Sequence, residues 1–241
     1  MKSRSLVVGT AVALIAATLA GCAEQGGKNA NVDDARLVEG SPDGADWLSY
    51  GRTYDEQRFS PLTQVTDANV KDLGLSWSAD MDTARGQEAT PIVVDGVLYV
   101  STAWSMVKAF DAATGEPIWS YDPQVPREKL VEVCCDAVNR GVAVYKGKVF
   151  VGTLAGHVVA LDAATGKVAW DIQSIPEGSH MAITGAPRIV KGKVLIGAAG
   201  WAAPDAGTMV IENLGAGAAR AGRPHAPEIV IRRDADNPLI R

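Results

Sequence analysis

One long self-similarity constrains this chain more than any other feature. The stretch Ala109-Phe110-Asp111-Ala112-Ala113-Thr114-Gly115-Glu116-Pro117-Ile118-Trp119 returns 51 residues later as Ala160-Leu161-Asp162-Ala163-Ala164-Thr165-Gly166-Lys167-Val168-Ala169-Trp170. A second landmark keeps step with it. Val94-Asp95-Gly96-Val97-Leu98-Tyr99-Val100 is followed by Tyr145-Lys146-Gly147-Lys148-Val149-Phe150-Val151 and by Val190-Lys191-Gly192-Lys193-Val194-Leu195-Ile196. Each of these is a β-branched or aromatic run, a two-residue turn ending in Gly, and a second such run, which is a hairpin signature. The first landmark is a strand end, an Asp-x-x-Thr-Gly turn and a new strand that reaches a Trp.

One period therefore holds about four short antiparallel strands, the content of one propeller blade. A blade cannot cover its own faces, so neighbours must stack on it. Trp119, Trp170 and Trp77 are placed to fill the gaps between blades. The expected fold is all-β: a partial β-propeller of about three blades with tryptophan-docking repeats and an unclosed ring. Residues 46–200 carry it. After Gly200 the period stops, and the Asp-x-x-Thr-Gly turn due near residue 210 is missing. Residues 201–241 are read as a divergent, poorly ordered tail.

Composition narrows the function classes. Hydrophobic residues make up 47% and charged residues 21%, which excludes wholesale disorder. The net charge of −5, with no basic run, argues against a nucleic-acid partner. The chain has 3 His and shows no His-x-His or Glu-x-x-His pattern, so no transition-metal site is expected.

The first 21 residues read as an export signal. Lys2 and Arg4 precede an apolar run from Leu6 to Ala20 that is too short to span a bilayer comfortably. It ends Leu19-Ala20-Gly21-Cys22, which resembles a bacterial lipoprotein cleavage box with Cys22 as the lipid acceptor. With Ala23 next, the resemblance leans to the periplasmic face of the outer membrane. Residues 22–45 read as a tether and a short helix, with Asn31 placed to cap Val32–Val38.

Several motifs remain that a bare repeat does not need. They are the segment Trp47-Leu48-Ser49-Tyr50-Gly51-Arg52-Thr53-Tyr54-Asp55-Glu56-Gln57-Arg58-Phe59-Ser60-Pro61-Leu62, Gly86-Gln87-Glu88-Ala89-Thr90-Pro91, Cys134-Cys135-Asp136, Asn139-Arg140-Gly141 and Thr184-Gly185-Ala186-Pro187. Adjacent Cα atoms lie about 3.8 Å apart, closer than the usual disulfide span. Bonding two adjacent Cys therefore forms a strained ring, and strain of that kind gathers at functional sites. Two unpaired thiols or an intermolecular bridge are the other readings of the pair.

With these motifs the stretch from about Asp46 to Gly200 resembles the quinoprotein alcohol dehydrogenases, which use pyrroloquinoline quinone (PQQ). The resemblance implies that Glu88, Arg140 and Thr184 contact the quinone. It also implies that Cys134 and Cys135 form a disulfide ring lying flat on one quinone face. A planar, permanently charged guanidinium suits an anionic planar cofactor. The resemblance fails in one place. The family's calcium-binding Glu should follow Ile196-Gly197, where this chain reads Ala198-Ala199-Gly200-Trp201-Ala202-Ala203. The catalytic Asp, the other metal ligand and the Trp floor belong to later blades. No catalytic residue is assigned.

The expected function is thus the N-terminal part of a periplasmic PQQ-dependent alcohol dehydrogenase. Full-length relatives oxidise alcohols to aldehydes with PQQ and Ca²⁺ and pass electrons to a cytochrome or quinone. This piece, a frameshifted, truncated or split gene product, is expected to be inactive alone, because removing a hydride needs both a cation and a base. The competing reading is a non-catalytic outer-membrane lipoprotein propeller, a scaffold of the β-barrel assembly type.

Overall fold

The computed structural model describes residues 30–133 and 135–200, with further strands at 207–211 and 229–232. The export signal, Cys22 and the tether up to residue 29 lie outside the described residues, as does Cys134.

Two complete four-stranded antiparallel meanders follow one another. The first runs β1 (Ile92–Val94), β2 (Val97–Ser101), β3 (Val107–Asp111) and β4 (Pro117–Tyr121). The second runs β5 (Ala143–Tyr145), β6 (Lys148–Gly152), β7 (His157–Asp162) and β8 (Val168–Gln173). The hairpin turns form where the sequence places them. Asp95-Gly96, Lys146-Gly147 and Lys191-Gly192 all take positive φ at both positions, the geometry that matches the twist of a tight hairpin. The repeat turn is built by its Asp. One carboxylate oxygen of Asp111 accepts from the Ala113 and Thr114 amides at 3.0 Å each, and Asp162 does the same for Ala164 and Thr165. Both meanders also carry a register shift at the same place, Ala109/Phe110 and Ala160/Leu161.

The third sheet is larger than its sequence pattern. It comprises β9 (Met181–Ala182), β10 (Arg188–Val190), β11 (Lys193–Gly200), β12 (Gly207–Ile211) and β13 (Ile229–Arg232). Its last two strands fall inside the stretch 201–241, for which the sequence predicts little order. The difference has a simple source. Thr208-Met209-Val210-Ile211 and Ile229-Val230-Ile231 are rich in β-formers; the long strand β11 offers an edge to the first run, and β12 then offers one to the second. The missing Asp-x-x-Thr-Gly turn governs docking to a neighbour, not strand pairing. The rest of that stretch lies outside the described residues.

The molecule is thus an unclosed propeller of antiparallel sheets. β5 touches both β1 and β10, so the first strands of the three sheets lie innermost. The blades are locked by Trp. The Trp77 ring lies on Gly115, and a Cβ built there would sit 2.6 Å from the ring. The Trp119 ring lies on Gly166 in the same way, at 2.7 Å. Each indole N–H donates to a carbonyl of the turn it covers, Trp77 to Ala112 at 3.1 Å and Trp119 to Ala163 at 2.9 Å. Trp77 also meets Phe110 of the sheet it covers, with centroids 6.3 Å apart, and Trp119 meets Tyr99 of its own sheet at 5.9 Å. Trp170 packs on Phe150 at 5.7 Å.

The N-terminal segment is tied to these blades. The short helix α1 (Asp34–Glu39) begins two residues later than the expected Val32, and Asp33 rather than Asn31 caps it, accepting the Arg36 amide at 2.8 Å. Arg36 then reaches Asp95 at 2.6 Å and Asp46 at 2.8 Å, which raises its pKa further above the ordinary range. Ala30 and Val32 are buried, and their carbonyls accept from the Gly147 and Lys146 amides. Trp47 adds a bridge to the edge of β1 through Val93.

Two outcomes test this packing. Gly166→Ala forces a Cβ into the Trp119 ring at a positive φ and is expected to cost about 2–4 kcal/mol in denaturant unfolding. Burial and the nearby Asp171 push the Tyr121 hydroxyl up to about 12. Its folded value exceeds the unfolded one, so its contribution is complete below about pH 10 and is lost as pH rises from there to about 12. Denaturation midpoints measured across that window should fall less steeply in Tyr121→Phe.

Candidate functional site

Three segments enter the innermost strands side by side, and they bring the predicted residues with them. Thr90 precedes β1, Arg140 precedes β5 and Thr184 precedes β10. Their backbones are joined across the blade boundaries. The Thr90 amide donates to the Arg140 carbonyl at 3.3 Å, and the Arg140 amide donates to the Thr184 carbonyl at 2.9 Å. Thr90 and Gly141 form a parallel bridge. Three blades thus meet through one short ladder, and any side chain on it faces its counterparts from the neighbouring blades.

Arg140 occupies the middle of this ladder. Its Nη2 lies 2.9 Å from Glu88 Oε2, and its Nη1 donates to Thr184 Oγ1 at 2.8 Å. Residues separated by 44 and 52 positions in the chain therefore share one guanidinium. The side chains of Arg140 and Glu88 remain 36% and 41% exposed, so the cluster opens to solvent instead of forming a core ion pair. With five N–H donors, Arg140 keeps capacity for an outside acceptor.

What holds Arg140 there is Asn139, which is fully buried. Its Oδ1 accepts from the Ser101 hydroxyl at 2.7 Å and the Gly141 amide at 3.2 Å, while its Nδ2 donates to the Gly152 carbonyl at 2.8 Å. The side chain bonds strand β2 on one side and strand β6 on the other, so the residue after it points to the rim. Gly141 takes φ +145, and a Cβ there would lie 3.2 Å from Ala186 Cβ. The close approach of the second and third blades requires the glycine. Sequence reading assigns no role to Asn139. Its signal was present in the Asn-Arg-Gly triplet, but only the fold reveals which member is anchor and which is hand.

Glu88, Arg140 and Thr184 are therefore brought together. Cys135 lies on the same loop as Arg140, is exposed and is disulfide-bonded. Cys134 is outside the described residues, so the predicted pairing between these two is taken up below as a proposal. The other motif of the sequence, residues 47–62, braces the site from beneath. Tyr50 is flanked by the guanidinium groups of Arg58 at 4.9 Å and Arg188 at 4.5 Å, and Arg188 pairs with Glu56 at 3.0 Å.

The donor set has a definite chemistry. One guanidinium and one hydroxyl offer N–H and O–H groups, and a single carboxylate balances the charge. This suits a planar group rich in carbonyl and carboxylate oxygens. It does not by itself suit a hard cation such as Ca²⁺ or Mg²⁺, which takes six or more oxygen ligands. Among the described residues no three His, Cys, Asp or Glu side chains gather as a metal cage.

The family follows from the comparison with known proteins. The PQQ-type β-propeller domain of glucose, ethanol and alcohol dehydrogenases matches residues 47–200. The chain belongs to this family. It is 54% identical over 171 residues to the quinohemoprotein alcohol dehydrogenase ADH IIB of Pseudomonas putida, covering 71% of this chain and 25% of that protein. It is 46% identical over 210 residues to the dehydrogenase subunit of the quinone-type alcohol dehydrogenase of Komagataeibacter europaeus, covering 82% and 28%. The crystal structure of the Pseudomonas putida enzyme ADHIIG superposes with a TM-score of 0.72 at 51% identity, covering 78% of this chain and 28% of that one. The chain spans about a quarter of the length of the relatives it matches. The expected family and the unclosed propeller are both upheld.

Site anchoring and site chemistry should separate by mutation. Asn139→Ala leaves the Ser101 hydroxyl, the Gly141 amide and the Gly152 carbonyl short of a partner and is expected to cost about 2–4 kcal/mol of unfolding free energy. Glu88→Gln, on an exposed pair, should cost less than about 1 kcal/mol.

Proposed function

We propose that this chain supplies the first face of a PQQ pocket in a periplasmic alcohol dehydrogenase. The single observation that carries the reading is the shared guanidinium: Arg140 held between Glu88 and Thr184 at the meeting of three blades. PQQ, when bound, supplies a two-electron acceptor for oxidising an alcohol to an aldehyde. Arg140 would hold its oxygens through its free N–H donors and would favour negative charge there. Thr184 Oγ1 and Glu88 fix the guanidinium plane, and they limit how the flat ring can lie. In this reading Cys135 pairs with Cys134, and the resulting ring would hold the quinone from one face. The hydroxyl of Thr184 can donate onward while it accepts from Arg140.

These residues bind and orient; they do not complete a reaction. Positions 198–203 hold no carboxylate for Ca²⁺, and the Glu88 carboxylate is engaged by Arg140. The cation, the base and the opposite wall of the pocket come from blades beyond the three described. The chain alone is inactive toward alcohols, and electrons in the whole enzyme pass to a cytochrome or quinone. Some relatives bear names that fit both acceptors: "1-butanol dehydrogenase (cytochrome c)" in Thauera butanivorans and "alcohol dehydrogenase (quinone)" in Komagataeibacter europaeus. The Cys22 thiol takes the lipid and the Gly21–Cys22 peptide bond is cleaved, which anchors the mature protein at the outer membrane. A pure scaffold has no use for the cluster of Glu88, Arg140 and Thr184, which favours the enzyme reading.

Three measurements test this. Purified chain titrated with PQQ should show saturable quenching of Trp fluorescence, and Arg140→Ala should weaken it at least roughly tenfold. PQQ plus Ca²⁺ should give no alcohol-dependent dye reduction; robust turnover would overturn the claim of inactivity. Denaturation without reductant should expose no thiol from Cys134 or Cys135, and two free thiols would remove the ring.

A further inference from the structure

A second set of contacts lies beside the Arg140 cluster, and the function described above does not use it. Arg85 stands three residues before Glu88, and Asp136 directly follows Cys135. Arg85 Nη1 donates to Asp136 Oδ1 at 2.6 Å, across the boundary between the first and second blades. The same carboxylate oxygen accepts the Ala137 amide at 2.8 Å. The Arg85 guanidinium also lies 5.8 Å from the centroid of the Trp104 ring, and the Arg127 guanidinium lies 4.0 Å from the same centroid. Trp104 is nearly buried, and its amide donates to the Ala137 carbonyl at 2.8 Å.

The backbone here is unusual. Trp104 and Ser105 take φ of 64 and 60, and Asp136 takes φ 76. Left-handed conformations of this kind cost about 1–2 kcal/mol per residue outside glycine, with Asp penalised less. The surroundings hold them: the Trp104 amide bond to Ala137, and the Ser105 hydroxyl accepting the Leu154 amide at 3.1 Å. Three such residues converge on the loop that carries the disulfide. Among the described residues, the Glu88 loop is tied to that second-blade loop through Arg85–Asp136 and Glu88–Arg140. The first of these fixes the sulfur end of the loop and the second fixes the guanidinium end.

We propose that Arg85 is a positioning residue: paired with Asp136 and braced on the Trp104 ring, it sets where the Cys135 disulfide stands relative to Glu88, Arg140 and Thr184. An ion pair this exposed contributes little to global stability. Its consequence is local. The pair adds a second tie between two loops from different blades, at the end that carries Cys135, and two guanidinium groups rest against the Trp104 ring. The proposal rests on the PQQ reading for its purpose, but not for its geometry.

The test uses the full chain without cofactor. Arg85→Ala, Asp136→Asn (which keeps the acceptor for Ala137) and the double variant are treated with limiting dithiothreitol, and thiol release at Cys135 is followed by alkylation and mass spectrometry. Each single change should speed reduction roughly two- to five-fold, the range an exposed ion pair allows, and the double should be no faster than the faster single. Wild-type rates in both singles, or multiplied effects in the double, would overturn the clamp. If Arg85→Ala lowers the unfolding midpoint, Arg85→Lys carries the same comparison, because Lys keeps the charge without the planar fork. A parallel arm adds PQQ to the wild type. Protection of the disulfide supports the quinone pocket; unchanged reduction overturns that pocket and leaves the clamp comparison standing.

Discussion

The structure depends on an indole ring resting against a glycine. Trp77 on Gly115 and Trp119 on Gly166 are one contact made twice, and each needs a turn residue with no side chain at positive φ. The glycine serves two ends at once. It allows the left-handed turn, and it leaves the flat surface on which the neighbouring ring lies. The indole N–H then finds a turn carbonyl, so a large apolar ring is placed between blades without an unsatisfied donor. Trp77 closes the outer face of the first sheet from the segment before β1, while the Trp119 contact runs from the first sheet to the second and so fixes the angle between them. That angle brings the innermost strands together.

Site geometry follows from that packing. Thr90, Arg140 and Thr184 are not neighbours in any single sheet. They meet because β1, β5 and β10 enter the centre from three blades, and their leading residues hydrogen-bond laterally. Asn139 converts this meeting into a fixed rim by bonding strands on both sides while buried. The chemistry of the site is then carried by side chains that stay partly exposed. Rigid support below and open donors above is the arrangement a cofactor pocket needs.

Much of the blade was legible in the residues. Asp-Gly and Lys-Gly between β-branched runs specify tight hairpins through local backbone preference alone, and Asp111 and Asp162 build their turns within three residues. The helix cap slipped from Asn31 to Asp33 because both are good caps, and burial of Ala30 and Val32 against the second blade decided between them. Strands β12 and β13 were hidden for the opposite reason. Their signal is a short β-forming run, which means little until an open edge such as β11 stands beside it. Arg85 and Asn139 were likewise invisible as anchors, since each acts on a residue distant in the chain.

The amino-acid sequence by itself determined the turns, the strand period and the glycine at each docking point, since these rest on contacts a few residues long. It also carried the motifs by which the family is known. Only the tertiary structure decided that one guanidinium joins Glu88 to Thr184, because that depends on three blades stacking at one angle. Local chemistry is written along the chain; convergence is a property of packing, and packing is settled when the last indole finds its glycine.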